Sequence, residues 1–242
     1  MSDPPPWAQE VSVLTFDLYG TVVDMQGGLV RAVTPYLAEK GWSGRPHALV
    51  TWWRRTHFEN SMIDALIPGG HTPYREIGRR ALDHVLARAQ IPHDREEVAH
   101  LVAAIERLAP FPEVPAALAR LQSRYRLAVL SNGDPDMLEN ARPHIGFPFE
   151  LLLSVAEAGH FKPHPATYRM AAARLGVETG QVLHIANHAF DCIGAKAAGL
   201  RAAFVNRRQR PFEETPHRPD VIAGTLTDLA DLLVGGAPGP AG

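Results

Sequence analysis

Two carboxylates and a lysine, each just beyond an apolar run, are the residues of this chain best suited to covalent chemistry. Val11 to Phe16 is apolar and β-branched, and it ends in Asp17, followed by Leu18, Tyr19, Gly20 and Thr21. Such a run predicts a buried strand. A carboxylate at its C-terminal end lies where open α/β sheets carry their sites. The competing reading makes Asp17 a plain turn residue. Asp191 follows a second apolar run, Val182 to Ala186, and Ser131-Asn132-Gly133 follows a third, Arg126 to Leu130. Lys162 stands before Pro163, beyond a less certain strand at Leu151 to Val155. A carboxylate that a nearby cation keeps ionised in a desolvated site can attack carbon when held in line with the bond it displaces.

The elements that must position these residues fall into two blocks. From Asp24 to Pro110 the pattern is helical, with helices expected around Leu29–Leu37 and over Leu49–Leu66, Tyr74–Ala89 and Arg95–Leu108. From Pro112 onward strands and helices alternate, with further helices over Pro112–Arg124, Pro135–Ala141, Pro165–Leu175, about 189–198 and Leu226–Val234. Short strands are expected at Ala202–Val205 and Val221–Ala223. Repeated strand–helix units imply a doubly wound parallel sheet with right-handed crossovers. The first strand needs the later ones as partners, so the helical block is expected as an inserted all-helical cap. The expected division is a core of residues 1–23 and 111–242 and a cap of residues 24–110. The Pro-rich residues 1–10 and the tail 235–242 are expected to be loose.

Composition narrows the function classes. With 242 residues, 45% hydrophobic and 21% charged, the chain can bury a sizeable core. A net charge of −2 argues against a nucleic-acid partner. No apolar run is long enough to cross a bilayer and the start lacks a signal-peptide pattern, so a cytoplasmic protein is expected. Cys192 is the only cysteine, which excludes an internal disulfide or a thiolate metal cage. His160, His164 and His184 have no metal-ligand spacing and are read as structural.

Taken in order, Asp17-Leu18-Tyr19-Gly20-Thr21, Ser131-Asn132, Lys162 and the stretch up to Asp191 resemble the haloacid dehalogenase (HAD) superfamily, over nearly the whole chain. Tyr19 resembles the hydrolytic 2-haloacid dehalogenase (type II) branch. The phosphatase branch has an Asp at the Tyr19 position and another at the Asn187 position, and without them too few hard oxygen ligands remain for a tight Mg²⁺ site. The resemblance therefore implies no metal and no cofactor. It makes Asp17 the nucleophile, with Thr21 and Lys162 beside it and Asp191 orienting water. Ser131 would hold the substrate carboxylate, Asn132 and Arg54 the departing halide, and Leu18, Tyr19, Tyr168, Asn187, His188 and Phe190 would complete the substrate site. The partner would be a short halogenated carboxylic acid, and family precedent extends to homodimers, although no stripe of this sequence identifies an interface.

Alternatives stand beside several of these roles. Arg55 competes with Arg54, because adjacent helix positions point about 100° apart. The Ser131 turn could be helix capping, and Tyr168 could be core packing. Phe58 and Tyr74 fit either an apolar wall or ordinary cap packing. The last motif departs from the family's Ser-Ser-Asn-Ala-aromatic-Asp, with Ala186 for a serine and His188 for the asparagine. His188 could hydrogen-bond the hydrolytic water or only cap a helix. The activity expected from the resemblance is hydrolysis of (S)-2-haloacids to (R)-2-hydroxyacids through an ester on Asp17. The same displacement on another leaving group, such as ring opening of a strained cyclic amino acid, remains open. A Mg²⁺ phosphatase or a non-catalytic binding protein on the same fold is less favoured.

Overall fold

The computed structural model describes residues 4–67 and 69–235. Its centre is a six-stranded, wholly parallel sheet. The strands are β1 (Val13–Phe16), β2 (Arg126–Ser131), β3 (Leu151–Ser154), β4 (Val182–Ala186), β5 (Arg201–Val205) and β6 (Val221–Ala223), in the order β3-β2-β1-β4-β5-β6. Every residue of β1 and β4 is buried, as expected where helices cover both faces of a parallel sheet. The chain runs to one side of β1 for β2 and β3, then crosses to its other side for β4. Phe16 pairs with both Val129 and Ile185. Asp17 thus leaves the sheet at a topological switch point, where a crevice opens beyond the strand ends.

Four α-helices fill the stretch from Asp24 to Pro110, between β1 and the helix that precedes β2: α1 (Met25–Glu39), α2 (Pro46–Leu66), α3 (Tyr74–Arg88) and α4 (Arg95–Val102). Local chemistry sets their starts. Asp24 accepts the Gly27 N–H to begin α1, Pro46 opens α2, and Asp94 with Glu97 forms a capping box on α4. Trp53 is buried and donates Nε1–H to the Gly78 carbonyl, joining α2 to α3. The chain leaves and re-enters the core on adjacent segments, with Asp24 N–H on Ala109 O and Phe111 N–H on Val22 O. We propose that residues 24–110 act as the cap on a core of residues 1–23 and 111–242. Asp134 ties the two units together by accepting the Tyr74 and Arg75 N–H groups at 2.7 and 3.0 Å.

The remaining helices are α5 (Val114–Leu121), α6 (Pro135–Ile145), α7 (Pro165–Leu175), α8 (Ala189–Ala197) and α9 (Leu226–Val234). Two expectations differ in detail. The helix expected to reach Leu108 tightens into a 3₁₀ turn at Ala103–Arg107, whose Glu106 salt-bridges Arg75. The N-terminal residues are not loose throughout, since Pro6–Gln9 forms a 3₁₀ turn that buries Ala8 and packs Trp7 under Arg201. Of the expected tail, residues 236–242 lie outside the described residues. Among the described residues, no helix is long and apolar enough to cross a membrane.

Candidate active site

Asp17, Thr21, Lys162 and Asp191 meet at the C-terminal ends of β1 and β4. Lys162 is 1% exposed, and its Nζ lies 3.2 Å from Asp17 Oδ1 and 2.9 Å from Asp191 Oδ2. Thr21 donates its hydroxyl to Asp17 Oδ2 at 2.8 Å and accepts the Asn187 N–H at 2.9 Å. The two strand-end loops are therefore held through the hydrogen-bond partner of Asp17. Burial alone would raise the Asp17 carboxyl, but Lys162 and then His188 outweigh it and hold the group below its ordinary value of 3.8. Burial would likewise lower Lys162, yet Asp191 and Asp17 hold its ammonium above 10.5. At neutral pH the site thus carries two carboxylates and one ammonium.

Asp191 lies deeper. It accepts the Tyr168 hydroxyl on Oδ1 at 2.6 Å and the Lys162 ammonium on Oδ2. His184 Nε2 is 3.0 Å from Oδ1, off the axis of its ring N–H, and His184 Nδ1 is 2.9 Å from the Thr15 hydroxyl. Against burial, which would raise it, His184, Lys162 and Tyr168 hold Asp191 well below the usual carboxylate range. Tyr168 gets this close because Gly194 has no side chain: a Cβ there would sit 2.6 Å from the Tyr168 oxygen.

Above Asp17 is a cavity of about 270 Å³ lined by Tyr19, Arg54, Phe58, Tyr74, Asn132, His188 and Phe190, among others. The size suits a small organic acid rather than a polymer. Phe58 packs on Phe190 with centroids 4.3 Å apart, and Tyr19 stacks on Tyr74 at 5.9 Å. Phe58 and Tyr74 are therefore walls of the cavity as well as cap packing. Arg54 donates Nη1–H to Gln26 Oε1 at 2.9 Å, while its buried Nε has no partner among the described residues. Burial and the neighbouring Arg208 both work against its charge, so an anion in the cavity would relieve the guanidinium. Arg55 is exposed on the cavity's rim and paired with Glu59 at 2.7 Å.

The remaining expected residues divide by position. Asn132 borders the cavity and accepts the Lys162 N–H on Oδ1 at 3.1 Å. Asn187 turns its side chain to the Gly20 carbonyl at 2.8 Å, fixing the loop after Asp17 rather than facing the cavity with Asp17. Gly20 has φ +97°, and a Cβ there would meet the His188 ring at 3.1 Å, so this turn needs glycine. Ser131 is fully buried, accepts the Gly133 N–H at 3.1 Å and, like Leu18 and Tyr168, does not border this cavity.

Four residues were missed by sequence reasoning. His184, read from the sequence as structural, packs inside β4 with Nε2 3.0 Å from Asp191 Oδ1, a contact the sequence does not show. Its signal was a lone ionisable residue within an apolar strand. Gln26 and Asp134 carried no distinctive signal. Arg208, which borders the cavity, belongs to an Arg-rich stretch directly after β5. Among the described residues, no cluster of three or more His, Cys, Asp or Glu side chains is arranged to hold a metal ion.

The chain is similar to known hydrolases over most of its length. A sequence profile of the haloacid dehalogenase-like hydrolases matches residues 11–199. The (S)-2-haloacid dehalogenase of Xanthobacter autotrophicus is 33% identical over 221 residues, covering 90% of this chain and 83% of that protein. Haloacetate dehalogenase H-2 of Moraxella sp. (strain B) is 29% identical over 228 residues, covering 93% and 99%. The crystal structure of the L-2-haloacid dehalogenase of Xanthobacter autotrophicus with chloropropionic acid covalently bound superposes with a TM-score of 0.82 at 28% identity, covering 94% of this chain and all of that one.

Proposed function

The chain belongs to the haloacid dehalogenase-like hydrolases, and from that premise we propose that it hydrolyses the carbon–halogen bond of short (S)-2-haloalkanoic acids to (R)-2-hydroxyacids. The observation that carries this reading is Asp17: a buried carboxylate held ionised by Lys162 at 3.2 Å, opening into a cavity of about 270 Å³ beside an incompletely paired arginine. One Asp17 oxygen attacks C2 from behind the halogen, the C2–O bond forms as the C–halogen bond breaks, and the carbon inverts. Leaving charge develops on the halide, where Arg54 and Asn132 donate to it against the Phe190 ring, so these contacts strengthen in the transition state. The substrate carboxylate is received on the cavity wall formed by Tyr19 and Asn132, with Leu18 and Ser131 buried behind it. Water then attacks Cγ of the Asp17 ester and releases the hydroxyacid, with Thr21 and Lys162 holding the carboxyl in place. Asp191, backed by Tyr168, fixes Lys162.

Halide release should be measured from chloroacetate, bromoacetate and both enantiomers of 2-chloropropionate, with and without EDTA. The reading expects turnover of the S enantiomer, unchanged by EDTA. Halide release from none of these acids refutes it, and ring opening of a strained cyclic amino acid in the same panel would move the displacement to another leaving group.

A further inference from the structure

A second cavity, of about 220 Å³, adjoins the one above Asp17, and its chemistry is different. The two share Gln26, Arg54, His188 and Arg208. At their boundary a Cβ on Gly20 would lie 3.1 Å from His188 Cε1 and 3.4 Å from Arg54 Nη2, so the bare glycine backbone leaves room for both groups. The second cavity is lined by four arginines, Arg54, Arg207, Arg208 and Arg210, against one carboxylate, Asp24. Asp24 is already engaged, accepting the Gly27 N–H at 2.9 Å and lying 3.8 Å from Arg31. Arg207 pairs with Glu113, whereas Arg54, Arg208 and Arg210 have no salt bridge among the described residues. Uncompensated guanidinium groups around a concave space favour an anion. The loop that carries them is also fixed. Arg207 donates Nη2–H to Thr21 O at 3.0 Å and lies 3.9 Å over the Phe111 ring, tying the stretch after β5 to the turn after Asp17. Asn206 accepts the Arg210 N–H at 2.9 Å and donates to the Arg210 carbonyl at 2.7 Å, closing the loop around Arg208.

We infer that this second cavity receives a second anionic group of the substrate, so that the preferred class is 2-halogenated dicarboxylic acids, with the distal carboxylate on Arg208 and Arg210. The inference rests on the dehalogenase reading above and names its substrate class. C2 stays over Asp17, its own carboxylate stays against Tyr19 and Asn132, and its side chain passes His188 to reach Arg208. Arg54, common to both cavities, remains with the leaving halide. A free halide ion has the same charge, but it would use neither the volume nor the Phe111 and Phe204 walls. A carboxylate on a short methylene chain uses both, and the planar guanidinium fork matches its two oxygens.

Halide release from (S)-2-chlorosuccinate and (S)-2-chloroglutarate, set against (S)-2-chlorobutyrate and (S)-2-chlorovalerate, compares acids of equal chain length with and without the second carboxylate. The parent should give the higher kcat/KM with at least one dicarboxylate. In Arg208→Gln and Arg210→Gln the ratio of dicarboxylate to monocarboxylate kcat/KM should fall by about 10- to 100-fold, the worth of a hydrogen bond between charged groups. The loss should fall on KM rather than kcat, because this contact is the same in ground and transition states. Both arginines are exposed, so these substitutions should leave folding intact. Titration calorimetry with the unreactive succinate, glutarate and butyrate reads the same contact without turnover, and a dicarboxylate should bind the parent more tightly than butyrate. A parent that turns over the monocarboxylates but neither dicarboxylate would overturn the inference and leave the dehalogenase reading standing. An unchanged ratio in both variants would also overturn it, as would a loss confined to product inhibition by chloride, which would make the cavity a halide site. Halide release from none of the acids would overturn the dehalogenase reading. Dicarboxylate binding no tighter than butyrate would then dispose of the second site by itself.

Discussion

Replacing Lys162 with methionine removes a cation held between two buried carboxylates while keeping most of the side-chain volume. At an effective dielectric constant of about 20, contacts of 3.2 and 2.9 Å correspond to attractions of about 5 and about 6 kcal/mol. Desolvation of the ammonium cancels much of this, and breaking a buried pair costs a net of about 3–5 kcal/mol. Asp191 would keep Tyr168 and His184, so the loss should fall near the lower end, about 3 kcal/mol at neutral pH. The pH dependence is more diagnostic than the size. In the parent both carboxyls sit below 3.8, so their contribution to stability is present above that pH and fades only below it. Without Lys162, burial dominates and raises Asp17, a group that then destabilises the fold as pH rises through its new value. Urea denaturation of parent and variant at about pH 7.5 and about pH 4.5 should therefore give a penalty that shrinks on acidification. Halide release should vanish at both values. A penalty below about 1 kcal/mol, or one equal at the two pH values, would refute the buried charge triad.

Two further outcomes follow from neighbouring residues. Arg54→Gln should lower kcat/KM for a haloacid by about 10²- to 10³-fold, as expected for loss of a donor to leaving charge. Arg55→Gln, one position along α2, should change it far less, and equal losses would contradict the assignment of Arg54. His57 is buried in the cap, and burial brings its imidazole down from 6.5 to about 4 despite the Tyr74 carbonyl at 3.0 Å. Below pH 6.5 the unfolded chain takes up a proton that the folded cap refuses, so stability should fall by about 3 kcal/mol between pH 6.5 and about 4. Urea midpoints across that interval check this, and His57→Gln should flatten the slope.

Much of this structure was legible in the sequence because local signals agreed with the tertiary fold. Strands β4 and β6 and helices α7 and α9 lie where the patterns place them, since Pro165 starts α7 and Thr225 with Asp228 caps α9. The expected α4 was too long because helical spacing alone does not distinguish an α-turn from the 3₁₀ turn at Ala103–Arg107. Asp17, Lys162 and Asp191 could be grouped because a parallel sheet brings its strand ends to one edge. Their hydrogen bonds could not be read, since these depend on which way each side chain leaves its strand or helix. The contact of His184 was illegible for this reason: in sequence it is one polar residue in a strand, and in space it faces Asp191 from 3.0 Å. The choice between Arg54 and Arg55 also required packing, because burial of Trp53 against Gly78 sets the rotation of α2.

The central claim, that Asp17 forms a bond to substrate carbon, is tested most directly by one turnover in ¹⁸O-labelled water with enzyme in excess over (S)-2-chloropropionate. The account predicts label in the carboxyl of Asp17 and unlabelled hydroxyacid, because product oxygen comes from the aspartate. Labelled hydroxyacid with an unlabelled Asp17 would contradict it, showing that water attacks the substrate directly.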